Sequence, residues 1–79
     1  MDCFWVHLKS INAVKEFVSI VNDIKYDVDL ISGIYIVDAK SIMGIFSLDL
    51  AKPILVEVHH ENSEDLQEKL SSYIVDNPS

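Results

Sequence analysis

Seventy-nine residues are enough for one domain, residues 1–79, and a domain of this size buries only about 60% of the surface its unfolded chain exposes, so every apolar face is needed for the core. The 49% hydrophobic content is ample for one core, and no linker or low-complexity stretch interrupts it, which excludes a disordered chain. Thirteen acidic against six basic residues give a net charge of −7, which argues against a nucleic-acid backbone or an anionic membrane as the main partner and suits a basic partner surface.

The opening Met-Asp-Cys-Phe-Trp-Val-His has neither the basic region nor the long apolar core of a signal peptide, and no apolar run approaches the roughly 20 residues of a membrane span. Cys3 is the only cysteine, so no internal disulfide can form and a cytoplasmic location is expected. From Cys3 to Leu8 the residues alternate, Phe4, Val6 and Leu8 against Cys3, Trp5 and His7, and this period of two predicts a first strand. After Ser10 the period changes. Val14, Phe17, Val18, Val21 and Ile24 recur at helical spacing, predicting a helix over Ile11 to Asn22 capped by Ser10 or Asn12.

Asp27 to Ser32 and Ile34 to Asp38 alternate again on either side of Ser32-Gly33, the pattern of a β-hairpin whose glycine supplies a positive φ. A second, short helix follows from Ser41, with its end expected at Asp49; the residue before Pro53 then disfavours helix and forces a restart. Ile54 to His60 alternates as a last strand. Asn62 followed by Asp65 resembles a capping box, and Leu66, Leu70, Tyr73 and Ile74 form the apolar stripe of a final helix. The order β-α-β-β-α-β-α predicts an α+β open-faced sandwich, a four-stranded antiparallel sheet with three helices on one face.

Ser41 is the position of greatest interest. Its hydroxyl can accept from the free N–H groups of the first helical turn, and those donors, the positive end of the helix dipole and Lys40 would also favour a phosphate attached there. The wording Lys40-Ser41-Ile42-Met43-Gly44, followed by an apolar pair and Ser47-Leu48, resembles the HPr family, the small phosphocarriers of the bacterial sugar phosphotransferase system, around their regulatory serine. The order of elements is similar too, most closely from about Tyr26 to the C-terminus. In that family the first helix begins at a histidine within a Gly-Leu/Ile-His-Ala-Arg-Pro segment, and this histidine relays phosphate to the sugar transporters. Counting back from Ser41 without gaps puts Ser10 at the histidine, Asn12 at the arginine and Ala13 at the proline. The relay depends on a labile histidine N–P bond, whereas a serine phosphate ester is stable, so Ser10 is a degenerate carrier position.

Within that family the chain is similar to a catabolite-repression HPr-like protein that also lacks the carrier histidine and keeps the regulatory serine. The resemblance implies a non-enzymatic regulatory or adaptor protein without a cofactor. By that resemblance Ser41 is phosphorylated by an HPr kinase/phosphorylase-type enzyme, and a catabolite-control transcription factor is the partner. Lys40, Ile42, Met43 and Phe46 would form the partner-binding surface, while Ile45 and Leu48 turn inward.

Each feature also has a plainer reading. Ser41 can be a cap and nothing more. Ile42, Met43 and Phe46 can be core, although a helix of about eight residues has a single inward face and these residues cover more than one. His7 joins Trp5 on the outer side of the first strand, as an ordinary surface histidine, yet it is the residue that would support a phosphocarrier reading with a non-standard histidine. His59 and His60 with Glu57 and Glu61 suggest a metal, but neighbours at a strand end point to opposite faces, so no metal site is expected. Glu61, Glu64, Asp65 and Glu68 read as the solvated, dipole-compatible start of the last helix. A third reading is a binding scaffold without phosphorylation, including a homodimer through the sheet face or the Ile42 patch.

Overall fold

The computed structural model describes residues 2–78; Met1 and Ser79 lie outside the described residues. Along the chain run β1 (Asp2–Val6), α1 (Ile11–Asn22), β2 (Val28–Ser32), β3 (Tyr35–Asp38), α2 (Ile42–Phe46), β4 (Ile54–Val58), α3 (Glu64–Lys69) and β5 (Ile74–Val75). The strands form one sheet in the order β3-β2-β4-β1-β5, and every neighbouring pair is antiparallel. Alternate residues Phe4, Val6, Val28, Leu30, Ile54, Val56 and Val58 are buried, and they meet Val14, Phe17 and Val21 of α1, Ile45 of α2 and Leu66 of α3 in one core. The helices thus cover one face, and the other carries the half-buried Trp5, Ile31 and Leu55. Among the described residues no helix is long and apolar enough to cross a membrane.

The architecture is the expected open-faced sandwich, with a fifth strand in place of the end of the last helix. Tyr73 and Ile74 fall in helical phase with Leu66 and Leu70, yet α3 stops at Lys69 with Leu70 as its C-cap. The Tyr73 N–H turns back to the Leu70 carbonyl, and Ile74 and Val75 then pair with Val6 and Trp5. The physical reason is the open edge of β1: its backbone groups need partners, and a β-branched pair fits there.

Other boundaries shift by a few residues. β1 and β4 each end two residues before the alternation does, at Val6 and Val58. The hairpin turns at Gly33-Ile34, closed by the Ser32–Tyr35 pair, with Gly33 at φ 61° as the only residue of positive φ among those described. Glycine at the first central position of a two-residue loop is the II′ pattern, whose twist matches the flanking strands. Ile34 therefore sits in the turn, 90% exposed.

At α1 the cap is Ser10, whose Oγ accepts from the Ala13 N–H at 3.0 Å. The capping box at α3 does not form. The N-cap there is Ser63, which makes no side-chain cap bond, because its buried hydroxyl donates instead to Asp2 Oδ2 at 2.7 Å and accepts from Gln67 Nε2 at 2.8 Å. Asn62 Oδ1 accepts from the Glu64 N–H.

Candidate functional site

The segment leading into α2 is held by its own backbone. Asp38 accepts from the Lys40 N–H through Oδ1 at 2.9 Å and from the Ser41 N–H through its carbonyl, so β3 turns directly into the helix. Ser41 is exposed and caps α2 by accepting from the Gly44 N–H at 3.2 Å. A Cβ on residue 44 would stand 3.3 Å from both Ser41 Oγ and Val37 Cβ, so a side chain there would press on β3 and on the helix's own cap. The Ser47 hydroxyl donates to the Gly44 carbonyl, and α2 ends at Phe46, short of the expected Asp49.

Five helical residues divide as their spacing requires. Ile45 is fully buried and Leu48 nearly so, whereas Met43 is 77% and Phe46 40% exposed. Ile42 packs half-buried against the core, so the apolar surface of α2 consists chiefly of Met43 and Phe46 rather than all three residues. Lys40 is half-buried as well, with Nζ donating to the Ile24 carbonyl at 2.8 Å.

Phe46 continues into a shallow groove lined by Leu8, Lys9, Ser10 and Ile11 at the start of α1 and by Leu50 and Ala51 beyond α2. The fold thus brings Ser10 to the same surface as the helix that Ser41 opens. His7 does not line this groove. It is half-buried, and its N–H donates to the Tyr73 carbonyl. Ile11, 63% exposed, is a surface residue the sequence reading missed. It lies in phase with Val14 and Val18 although it is not counted in their stripe, and periodicity alone does not mark it as exposed.

The two adjacent histidines part as strand geometry predicts. His60 stacks on Tyr26, with ring centroids 4.3 Å apart, and faces the start of α3, where Glu64 and Asp65 occupy the first turn. The Tyr26 phenol is held above its ordinary pKa by burial, with a smaller contribution from the Asp65 carboxylate. His59 goes the other way, to Asp29 and Glu57. These three residues each offer one ligand atom, all within 4.8 Å of one another, whereas Glu61 takes no part.

No curated protein matches the chain significantly in sequence. Among solved structures, the chain is similar to the crystal structure of HPr-C-His from Thermoanaerobacter tengcongensis, with a TM-score of 0.75 over 91% of this chain and 89% of that one, at 19% identity. That likeness establishes the fold. Residues 9–75 match the family model for the PTS HPr component phosphorylation site, a span that takes in both Ser10 and Ser41, and the chain therefore belongs to the HPr family.

Proposed function

We propose that this protein is a non-enzymatic regulatory member of the HPr family, controlled by phosphorylation of Ser41 and acting by binding a partner protein over α2 and the start of α1. The observation that carries this reading is the division of residues on α2. Its opening serine is exposed, and Met43 and Phe46 stand out beside it. With Ile11 they supply the apolar area that a protein interface needs at its centre, and Lys9 borders it.

The chemistry at the start of α1 supports a regulatory role over a relay. Ser10 stands where the family's carrier histidine belongs, and its oxygen is already engaged with the Ala13 N–H. A phosphate ester formed there would not pass its phosphoryl group onward as a histidine phosphoramidate does. The kinase expected at Ser41 is of the HPr kinase/phosphorylase type, and a catabolite-control transcription factor is the partner expected to read the modified form.

Incubation with such a kinase and ATP, followed by intact mass and site mapping, tests the proposal. The expected product carries a single acid-stable phosphate on Ser41 and none in Ser41→Ala. Absence of that phosphate, with an authentic HPr modified in parallel, would overturn it.

A further inference from the structure

The open face of the sheet carries a second cluster, built by pairing between strands rather than by any local motif. Asp29 on β2 lies opposite Asp38 on β3 and opposite Glu57 on β4, and Glu57 lies opposite Cys3 on β1. Three carboxylates thus stand side by side on three neighbouring strands, an arrangement that costs stability because like charges directly opposite one another repel. Aspartate is also among the residues least suited to a strand. Among the described residues, the salt bridges made by this row run to His59 alone.

We infer that Asp29, Glu57 and His59 form a binding site for a divalent transition-metal ion of the zinc class. His59 Nε2 lies 2.8 Å from Asp29 Oδ2 and 3.4 Å from Glu57 Oε1. Ligand atoms on a tetrahedral zinc, each about 2.0–2.2 Å from the metal, stand about 3.3–3.6 Å apart. The side chains therefore already hold nearly the separation an ion between them requires, and inserting one exchanges carboxylate repulsion for shared attraction to a cation. Asp29 sits on β2 and Glu57 on β4, each flanked by strands on both sides, and His59 follows directly after β4 with its N–H donating to the Asp27 carbonyl, so all three backbones are held in advance.

A separate observation concerns the space beside the donors. Asp27, Val28, Asp29, Asp38 and His59 line a shallow pocket on this side, which leaves room for water to complete the coordination. It also places Asp27 and Asp38 where they can accept hydrogen bonds from that water. One imidazole with two carboxylates favours zinc, cobalt, nickel or copper over magnesium or calcium, which prefer oxygen alone. None of these residues lines the groove at Ser10 and Phe46, so the metal site stands or falls independently of the function proposed above.

The test is calorimetric titration of the full, tag-free chain with Zn2+, together with amide chemical-shift mapping of the bound form. Expected are one saturable site in the micromolar range and shifts centred on Asp29, Glu57 and His59. Asp29→Asn and His59→Ala should each weaken binding by at least about tenfold, since even partners one step removed from a metal commonly contribute that much. His7→Ala, His60→Ala and Cys3→Ser should bind as the parent does. His59→Gln, which keeps a polar side chain of similar reach, serves as a second variant, with thermal melts confirming that each protein folds. Saturation only at millimolar zinc, or affinity that follows His7, His60 or Cys3 in place of His59, would overturn the assignment.

Discussion

Ser10 and Ser41 perform the same local task at the starts of α1 and α2: each hydroxyl accepts from the backbone N–H three residues on. Four N–H groups at a helix start lack partners within the helix, and a serine oxygen satisfies one of them. Ser10→Ala and Ser41→Ala should therefore each lower stability by about 1 kcal/mol in urea melts, while Ser41→Asp, which can also accept, should lose far less. The Ser41 cap was legible from residue type and position, and Ser10 was one of two candidates at α1, with Asn12. Ser63 was not legible, because its hydroxyl goes to Asp2, a residue that a reading of nearby sequence does not bring alongside it.

At the scale of one element, α2 shows how far counting faces can go. A short helix has one inward side, and Ile45 takes it fully while Met43 points to solvent. Ile45→Ala should cost about 2–5 kcal/mol, the usual range for emptying a buried aliphatic site, and Met43→Ala should stay within about 0.5 kcal/mol, as exposed positions do. Equilibrium denaturation of the two variants checks the contrast, and a large loss at Met43 would mean that it supports the core. The same counting failed at Tyr73 and Ile74. Their spacing from Leu66 and Leu70 is helical, and a two-residue strand is too short for alternation to be read. What decides their conformation is the edge of β1, a partner at the opposite end of the chain.

Across the whole molecule, long-range pairing creates features absent from any stretch of sequence. His59 and Asp29 are 30 residues apart along the chain, and only the β2–β4 register makes them neighbours. The Asp2–Ser63 contact spans 61 residues and fastens β1 to the start of α3. The Asp2 carboxyl is held below its ordinary pKa, first by the Ser63 hydroxyl and then by the Ser63 N–H. Because its folded value is the lower one, the stabilisation from this carboxylate is full above the unfolded value, near pH 4, and is lost as pH falls through the folded value. Melting temperatures of the parent and Asp2→Asn should accordingly differ most near neutral pH and converge in acid. A gap that widened on acidification would contradict this linkage.

Lys40 and Ser41 are adjacent, yet they serve different helices. The Lys40 ammonium donates to the Ile24 carbonyl just past the end of α1, while Ser41 begins α2. An anion attached to Ser41 would compete for that ammonium, since a charged acceptor binds it more strongly than a carbonyl does. The winner would gain its counter-ion at the cost of the tether on α1, and the turn that holds the Asp23 and Ile24 amides would loosen. A charge added at the start of one helix would in that way be felt at the end of another.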